Sequence, residues 1–259
     1  MSALFNSKKY YGLIGYPLTH SFSMDFFNQK FGAEKINAEY LNFEIDDIGK
    51  LMEVISEYPE LNGLNVTSPY KQAIIPYLDA LDETAKSIGA VNVVKIDKSG
   101  KNQGVKLIGY NTDAIGFANS IRPMLSDKMK SALVMGSGGA AKAVRYALNK
   151  LGIESYTLSR RKSVSTITYE ELTKSMVHKN LIVVNATPLG MYPNVDACPD
   201  FPFRFLTKDH LCYDLIYNPE ETVFLKRAKQ YGASCKNGLE MLLLQAFASY
   251  DIWTKGHFE

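Results

Sequence analysis

A glycine-rich turn lies near the middle of the chain, between an apolar run at residues 132–135 and a helical pattern that begins at residue 140. Strand, glycine turn and helix in this order are typical of a unit that binds dinucleotides. Gly136 permits the tight turn, Gly138 lets the backbone approach a pyrophosphate, and the start of the helix offers free N–H groups. Five consecutive residues are therefore predicted to hold the phosphates of a dinucleotide: Gly136, Ser137, Gly138, Gly139 and Ala140.

A basic cluster follows the next predicted strand, where residues 153–158 end in Ser159, Arg160 and Arg161. A site for NAD usually has an acidic residue here, which accepts a hydrogen bond from the 2′-hydroxyl of the ribose. A carboxylate would repel a 2′-phosphate, whereas two guanidinium groups can bind one through paired hydrogen bonds. The sequence therefore favours NADP over NAD as the cofactor. The alternative is a glycine turn that binds nothing, beside a solvated basic edge.

Four more polar clusters lie at the ends of predicted strands in the first half of the chain, at residues 20–23, 65–71, 89–92 and 110–113. Ligands of open α/β sheets bind at the carboxyl ends of strands, so these positions are candidates for a binding site. Each cluster also has a purely structural interpretation as a helix cap, a turn or a solvated surface. Taken singly, the four clusters do not identify an enzyme.

Three features of these clusters suit the chemical interpretation. Ser21 and Ser23 lie two residues apart at the predicted start of a helix, where both hydroxyls can face an anion. Asn65 and Thr67 point to the same side of a strand, because side chains alternate between its faces. Lys71 begins the following helix, where the helix dipole slightly disfavours a cation, so this lysine has no obvious structural purpose.

Composition and charge limit the classes of function. The chain has 259 residues, of which 46% are hydrophobic, enough for one large α/β domain or two modest ones. A formal net charge of +2 gives no electrostatic reason to expect nucleic acid or an anionic membrane as a partner. Neither the three cysteines nor the four histidines have metal-ligand spacing, so no metal and no disulfide framework are expected. We predict a cytoplasmic location, without a signal peptide or a membrane span.

Helical and strand patterns alternate along the chain, which predicts an α/β architecture with mainly parallel strands. The predicted strands are residues 11–15, 38–45, 61–67, 91–96, 105–110, 132–135, 153–158, 181–185, 211–215 and 233–236. The predicted helices are residues 21–31, 48–58, 73–81, 83–88, 112–125, 140–151, 222–231 and 238–253. Residues 98–102 are predicted to form a hairpin turn between two of the strands.

More than a hundred residues precede the glycine turn, so another domain comes first. The last predicted helix carries an apolar stripe and could return to pack on that domain. The sequence thus predicts an α/β fold with two domains and an active-site cleft between them. A mostly parallel substrate-binding and catalytic domain would contain residues 1–112 and the C-terminal helix, 239–259. A Rossmann dinucleotide-binding domain, which would bind NADP, would contain residues 113–238.

Taken together and in this order, the clusters resemble the motifs of the shikimate dehydrogenase family, and the similarity covers nearly the whole chain. The motifs are Ser21-x-Ser23, Asn65-Val-Thr67-x-Pro-x-Lys71, Gly89-Ala-Val-Asn92, Asn111-Thr-Asp113, Gly136-x-Gly-Gly-Ala, Asn185-Ala-Thr187-Pro-Leu-Gly-Met, Tyr213-Asp-Leu-Ile-Tyr217-Asn-Pro and Gly238-x-x-Met-Leu-x-x-Gln245. The resemblance implies a reversible, NADPH-dependent reduction of 3-dehydroshikimate to shikimate. That reaction belongs to the shikimate pathway, which leads to chorismate and the aromatic amino acids.

The resemblance also implies a role for individual residues. Lys71 and Asp113 would be the catalytic pair. The substrate carboxylate would be held by Ser21 and Ser23. The ring hydroxyls of the substrate would be bound by Asn65, Thr67, Asn92, Tyr217 and Gln245. The nicotinamide side would be lined by Thr187, Leu215 and Gly238, in addition to the phosphate-binding turn and Ser159, Arg160 and Arg161.

The chemistry of the implied catalytic pair is physically reasonable. A carbonyl oxygen gains negative charge when hydride is added to its carbon, so a proton donor must lie beside it. The Lys71 ammonium can stabilise that charge and supply the proton, and Asp113 would orient the ammonium. The chain departs from the family pattern at Phe22 and Met24, where a basic or small polar residue and then a proline are more usual. Another departure is the sequence Ser-Arg-Arg at residues 159–161, where the family commonly has Asn-Arg-Thr.

Three alternatives stay open at this point. One is a broader quinate/shikimate dehydrogenase that uses NAD or NADP. A second is a ligand-sensing module of the same fold, although a sensor would need neither Lys71 nor Asp113. The third is an unrelated dinucleotide-binding enzyme, for which the motifs of the first domain would be a coincidence. In the preferred interpretation the partners are small molecules only, and the protein is a monomer or a homodimer.

Overall fold

A computed structural model describes residues 7–18, 22–99 and 104–256 of the chain. Its residues form two compact units. The first unit contains the described residues of Met1–Thr112 and Ala246–Glu259, and the second is Asp113–Gln245. This division assigns residues 239–245 to the second unit, whereas the bounds predicted from the sequence assign them to the first.

Alternating strands and helices make up both units. The strands of the first are β1 (Lys9–Gly15), β2 (Ala38–Glu44), β3 (Leu61–Val66), β4 (Ala80–Leu81), β5 (Val93–Asp97) and β6 (Lys106–Tyr110), and its helices are α1 (Phe22–Ala33), α2 (Leu51–Glu57), α3 (Tyr70–Ala73) and α4 (Glu83–Ile88). The second contains α5 (Asp113–Ile121), β7 (Ser131–Met135), α6 (Gly139–Lys150), β8 (Glu154–Leu158), β9 (Thr166–Ile167), α7 (Lys174–Lys179), β10 (Ile182–Asn185), β11 (Leu211–Asp214), α8 (Val223–Gln230) and β12 (Ser234–Lys236). Helix α9 (Leu239–Lys255) begins in the second unit and ends in the first.

The sheet of the first unit has the strand order β2-β1-β3-β5-β6-β4. Strand β1 is parallel to β2 and β3, whereas β5 is antiparallel to both β3 and β6. The register places Asn65 beside Val93, and Val93 beside Tyr110. The carboxyl ends of β3 and β6 and the amino end of β5 therefore meet at one edge of the sheet. The polar clusters that follow or precede these strands are gathered at this edge.

Helix α9 completes the core of the first unit through Trp253. The indole stacks on Tyr11 with ring centroids 4.9 Å apart, and its Nε1 donates a hydrogen bond of 3.1 Å to the carbonyl of Val94. Gly63 makes this possible, because a Cβ at that position would overlap the indole ring. The end of α9 is thus seated on the strands β1, β3 and β5.

The sheet of the second unit is parallel throughout, in the order β12-β11-β10-β7-β8-β9. All residues of β7, β10 and β11 are buried, as expected for strands covered on both faces. The chain runs outward from β7 to β8 and β9, and then returns to build β10, β11 and β12 on the other side. The direction of winding therefore changes between β7 and β10, where ligands of such sheets bind. This is the Rossmann-type arrangement predicted from the sequence.

The structure replaces one predicted helix by other elements, and it contains a short strand, β9, and a helix, α7, that the sequence did not predict. The helix predicted for residues 73–81 is wrong: α3 ends at Ala73, a 3₁₀ turn follows at Ile75–Tyr77, and Ala80–Leu81 form β4. Pro76 explains the difference, because proline has no N–H to donate inside a helix. Part of the predicted hairpin turn at 98–102 lies outside the described residues. In the described ranges, no helix combines the length and the apolar composition that crossing a membrane requires.

Buried polar side chains join the carboxyl ends of β10 and β11. The carboxylate of Asp214 accepts hydrogen bonds from Thr222 Oγ1 at 2.6 Å, from Asn185 Nδ2 at 3.1 Å and from the Ile216 N–H at 3.0 Å. The side chains of Asp214, Asn185 and Thr222 are fully buried. Burial raises the pKa of Asp214 from 3.8 to about 6, although these hydrogen bonds act in the opposite direction. The Asp214 carboxylate thus links the end of β10 to the segment that follows β11.

Asp214 should make stability depend on pH. The pKa of its carboxyl is higher in the folded protein than in the unfolded chain, so the folded state retains a proton that the unfolded state has lost. Its contribution is therefore fully present below about pH 4 and is lost as the pH rises through about 6, with a total of about 3 kcal/mol. We expect Asp214→Asn to remove this part of the pH dependence of the free energy of unfolding, measured by urea denaturation.

The exposed Asp127, which lies before β7, provides the control. Asp127→Asn should leave the pH dependence of unfolding as it is in the unmodified protein. If Asp214→Asn and the unmodified protein lose stability equally between about pH 4 and pH 7, the raised pKa of Asp214 is wrong.

Candidate functional site

The edge at which β3 and β6 end carries a buried pair of polar residues. Asn92, just before β5, is 3% exposed, and Thr112, just after β6, is fully buried. Asn92 Nδ2 donates to Thr112 Oγ1 at 3.0 Å, and the Thr112 N–H donates to Asn92 Oδ1 at 2.7 Å. The side chain of Asn92 is therefore held in one orientation. The neighbouring Asn111 is also buried and donates to the carbonyl of Ala90 at 2.9 Å.

A chain of buried hydrogen bonds extends from this pair to β2. Asn65, near the end of β3, donates through Nδ2 to Ser249 Oγ at 3.0 Å, and the hydroxyls of Ser249 and Thr112 are 3.2 Å apart. On the other side, Asn65 Oδ1 accepts a hydrogen bond of 2.8 Å from the hydroxyl of Tyr40. We call these five residues, Tyr40, Asn65, Asn92, Thr112 and Ser249, the buried polar chain.

Sequence reasoning missed three members of the buried polar chain. Tyr40 lies within a predicted strand, where an aromatic residue indicates only a core. Thr112 stands inside the quoted Asn111-Thr-Asp113 motif, and this was the one signal that could have singled it out. Ser249 lies in the last predicted helix, where a single polar residue among apolar ones does not indicate its partner.

The backbone around Lys71 is fixed to the same edge of the sheet. The Thr67 N–H donates to the carbonyl of Ile14 at 2.9 Å, and the carbonyl of Lys71 accepts from the Val91 N–H at 2.7 Å. Tyr70 is buried and donates from its hydroxyl to the carbonyl of Ile45 at 2.7 Å. Thr67 and Lys71 are themselves half-buried. The structure thus brings Lys71 next to the strand end that carries Asn92.

Ser23 also joins this region, whereas Ser21 lies outside the described residues. Ser23 is half-buried in the first turn of α1 and makes a side-chain hydrogen bond with the Tyr40 hydroxyl. Burial raises the pKa of Tyr40 well above its ordinary value, and the hydrogen bond from Ser23 acts in the opposite direction. The unusual Phe22 stacks on Phe26 at 5.8 Å, and Met24 packs against the aromatic core. The two departures from the family pattern are therefore accommodated by packing within α1 and its surroundings.

Asp113 and Gln245 lie on neighbouring helices of the second unit. Asp113 is 5% exposed and is the first residue of α5, where a carboxylate suits the helix dipole. One turn later, Gly116 allows a close approach of α9, because a Cβ there would lie 2.6 Å from the carbonyl of Met241 and 3.1 Å from Cβ of Gln245. Gln245 is 8% exposed and donates to the carbonyl of Leu242 at 2.9 Å. Tyr217, after β11, is half-buried, and burial raises its pKa.

The glycine turn after β7 has the backbone that the sequence requires. Gly136 has a φ of +112°, and a Cβ there would lie 2.8 Å from the carbonyl of Ala186. Gly138 precedes α6, and a Cβ there would meet no atom within 4 Å, so its backbone is open to a ligand. The twelve-residue helix α6 then presents the N–H groups of its first turn. The turn from Gly136 to Ala140 therefore fits a bound pyrophosphate.

The loop after β8 presents two exposed guanidinium groups, those of Arg160 and Arg161. The Arg161 N–H donates to Ser159 Oγ at 3.2 Å, and its carbonyl accepts from Thr166 Oγ1 at 3.2 Å. The next cation, Lys162, forms an ion pair with Glu171. Because no carboxylate stands at the end of β8, this loop suits the 2′-phosphate of NADP better than the free ribose of NAD.

Thr187, Leu215 and Gly238 meet at the carboxyl ends of β10 and β11. Thr187 donates from Oγ1 to Asn185 Oδ1 at 2.7 Å, and the Leu215 N–H donates to the carbonyl of Asn185 at 2.9 Å. A Cβ at Gly238 would overlap the carbonyl of Leu215. Asn185 organises this group and is held in turn by Asp214, but sequence reasoning named neither as a site residue.

The cysteines do not extend the site. All three are free thiols, and burial raises the pKa of Cys212 well above its ordinary value. Across the described ranges, no group of three histidine, cysteine or acidic residues is arranged to hold a metal ion.

Known proteins resemble the chain over nearly its full length. Residues 13–94 match the family model described as the shikimate dehydrogenase substrate binding domain. The shikimate dehydrogenase (NADP(+)) of Desulforamulus reducens is 40% identical over 94% of this chain and 89% of its own. The crystal structure of shikimate dehydrogenase from Aquifex aeolicus has a TM-score of 0.82 and 37% identity, and covers 96% of this chain and 93% of its own. Quinate dehydrogenase from Corynebacterium glutamicum, in complex with NAD, has a TM-score of 0.82 and 29% identity, with 97% and 95% covered. On these matches, the chain belongs to the shikimate dehydrogenase family.

Proposed function

We propose that this protein is an NADP-dependent shikimate dehydrogenase, which reduces 3-dehydroshikimate to shikimate reversibly. The observation that carries the proposal is the buried polar chain, which fixes Asn65 and Asn92 at the strand ends next to the segment that carries Lys71. A polyhydroxylated ring needs several oriented donors and acceptors, and buried amides whose side chains are held by neighbouring hydrogen bonds present theirs in a fixed orientation. The name of the Desulforamulus reducens relative supports the choice of NADP.

Each polar group then has a task in binding. Ser21 and Ser23 hold the substrate carboxylate, which accepts hydrogen bonds from their hydroxyls. Asn65, Thr67, Asn92, Tyr217 and Gln245 bind the ring hydroxyls. These assignments follow from the chemistry of the groups. A serine hydroxyl can donate to a carboxylate, whereas a side-chain amide can both donate to and accept from a ring hydroxyl.

The catalytic pair acts on the oxygen that changes its charge. When bound, NADPH supplies the hydride that reduces the carbonyl carbon. Lys71 donates a proton to the oxygen and stabilises its developing negative charge; in the reverse direction it accepts the proton from the hydroxyl. Asp113 orients the ammonium of Lys71.

The cofactor is bound by the second unit. The turn from Gly136 to Ala140 holds the pyrophosphate at the start of α6, and Ser159, Arg160 and Arg161 hold the 2′-phosphate. Thr187, Leu215 and Gly238 line the nicotinamide side. Asn185 supports two of these lining residues, because it fixes both the hydroxyl of Thr187 and the backbone of Leu215.

A broader quinate/shikimate dehydrogenase is the second candidate, and the similarity to the quinate dehydrogenase of Corynebacterium glutamicum favours it. Initial rates with shikimate and with quinate, each with NADP⁺ and NAD⁺, separate the two candidates. We expect shikimate with NADP⁺ to give the highest kcat/KM. Equal kcat/KM values for quinate, or for NAD⁺, would favour the broader enzyme, and binding of shikimate without turnover would favour a ligand-sensing module.

The expectations about partners and location remain predictions. Shikimate and NADP are the proposed ligands, nucleic acid and membranes are not expected to bind, and the protein is proposed to be a monomer or a homodimer in the cytoplasm. Free, buried or half-buried thiols suit a reducing compartment.

Replacing Lys71 should affect the chemical step more than binding. We expect Lys71→Ala to lower kcat for shikimate by about 10²- to 10⁴-fold, because a general acid or base is lost, with a much smaller rise in KM. The control is Lys86→Ala, which removes an exposed lysine from α4 and should leave both constants unchanged. Turnover of Lys71→Ala at the rate of the unmodified enzyme would overturn the catalytic role.

Replacing the two arginines after β8 should weaken NADP specifically. We expect Arg160→Ala combined with Arg161→Ala to raise KM for NADP⁺ by about 10- to 100-fold, because charge-assisted hydrogen bonds to the 2′-phosphate are lost. KM for NAD⁺ should change by less than about 3-fold, since NAD⁺ has no such phosphate. Lys162→Ala is the matched control, because its ammonium already pairs with Glu171. Equal effects on both cofactors would contradict this assignment.

A further inference from the structure

Asp214 carries a negative charge that the fold does not neutralise. Its side chain is fully buried, and its carboxylate accepts hydrogen bonds from three uncharged donors: the hydroxyl of Thr222, the amide of Asn185 and the N–H of Ile216. Among the described residues, no cation contributes to the pKa of this carboxyl. An asparagine could form hydrogen bonds with the same three partners without a buried charge, so the charge itself calls for an explanation.

The carboxylate lies beside the residues that are proposed to line the nicotinamide. Leu215 follows Asp214 in the chain, and a Cβ at Gly238 would overlap the carbonyl of Leu215. Thr187 is two hydrogen bonds away, because its hydroxyl donates to Asn185 Oδ1 at 2.7 Å and Asn185 Nδ2 donates to Asp214 at 3.1 Å. A nicotinamide ring against these residues would therefore lie close to a buried negative charge, where screening by solvent is weak.

The oxidised and reduced forms of the cofactor differ in charge only at the nicotinamide ring. The oxidised ring carries one positive charge and the reduced ring is neutral, whereas the phosphates are common to both forms. A fixed negative charge near the ring therefore attracts the oxidised form and acts only weakly on the reduced form.

We propose that the Asp214 carboxylate favours the binding of NADP⁺ over NADPH by electrostatic attraction to the oxidised nicotinamide ring. The inference rests on the proposed function, because that function puts the nicotinamide beside Thr187, Leu215 and Gly238. Asp214 is fully buried, so it acts on the ring through space rather than by contact. The same attraction favours the transfer of hydride to the substrate, since the ring becomes positive as hydride leaves it.

The test is Asp214→Asn, which removes the charge and keeps a side chain of the same shape. The partners can all remain bonded, because the Thr222 hydroxyl can also accept a hydrogen bond from an amide. At about pH 8 we expect Kd for NADP⁺ to rise by about 3- to 10-fold, with Kd for NADPH within about 2-fold of the unmodified protein. Isothermal titration calorimetry without substrate measures both constants, so the result does not depend on turnover.

The ratio of the two dissociation constants separates an electrostatic role from a structural one. A carboxylate that only fixes the strand ends and the start of α8 would, when replaced, weaken the binding of both forms equally. An unchanged ratio would therefore overturn the inference. The control is Asp127→Asn, which removes an exposed charge from the same unit and should leave both constants unchanged.

The unmodified protein provides a second measurement, which is decisive should Asp214→Asn fail to fold. Burial raises the pKa of Asp214 to about 6, so its carboxyl is ionised at about pH 8 and largely protonated at about pH 5. The ratio of Kd for NADP⁺ to Kd for NADPH should therefore be about 2- to 5-fold higher at the lower pH, and a constant ratio contradicts the inference. Titration of the 2′-phosphate cancels in this ratio, because both forms carry it.

Other charged or titratable groups lie around Asp214 in the second unit. The Cys198 thiol interacts with Asp214, and Arg227 of α8 and Asp200 interact with the same thiol. Burial raises the pKa of Cys198, so the thiol stays uncharged between about pH 5 and pH 8, and the arginine stays charged. Neither group imitates the expected change in the ratio.

Failure of the proposed function has a different signature. An unmodified protein that binds neither NADP⁺ nor NADPH, or that forms no NADPH from shikimate, contradicts the proposed function. An active unmodified enzyme whose ratio of dissociation constants is the same in Asp214→Asn contradicts the inference alone.

Discussion

The complete pairing of buried amides at one sheet edge is the constraint on which the first unit depends. Asn65 and Asn92 are 5% and 3% exposed, and burying an amide is favourable only when its donors and acceptors find partners. Their partners come from β2, from Thr112, two residues after β6, and from α9. The same requirement that stabilises the fold therefore fixes the direction of the polar groups that a substrate would meet.

In the second unit the buried polar groups are also paired, and here they surround a carboxylate. Asp214 joins the ends of β10 and β11 and the start of α8. Asn185, which donates to Asp214, also accepts a hydrogen bond from the Thr187 hydroxyl and so fixes that side chain. The arrangement has an energetic penalty, because the carboxylate is fully buried and its pKa is raised to about 6. In the proposed function these strand ends line the nicotinamide, and paired polar groups in a dry environment keep them rigid.

The sequence predicted the parts of this molecule whose signals are local. The apolar run before Gly136, the turn and the helix after it are neighbours in the chain, and the structure places them as expected. The role of Ser249 could not be predicted in this way, because its partner Asn65 is 184 residues away. Tyr40 was hidden for a different reason: its ring is an ordinary core residue, and only its oxygen takes part in the polar chain. The helix predicted for residues 73–81 was wrong because that prediction followed the apolar periodicity, whereas in the structure Pro76 prevents the helix from continuing.

The packing of Trp253 against Gly63 has a practical consequence for spectroscopy. Trp253 is the only tryptophan of the chain, and its indole is buried among Tyr11, Phe27 and Tyr40. The intrinsic fluorescence of the protein excited at the red edge therefore originates from one fluorophore, in the first unit. Its emission reports whether the end of α9 is packed on the first unit, and it is insensitive to local unfolding elsewhere. A fluorescence melting curve and a circular dichroism melting curve therefore describe different parts of this molecule.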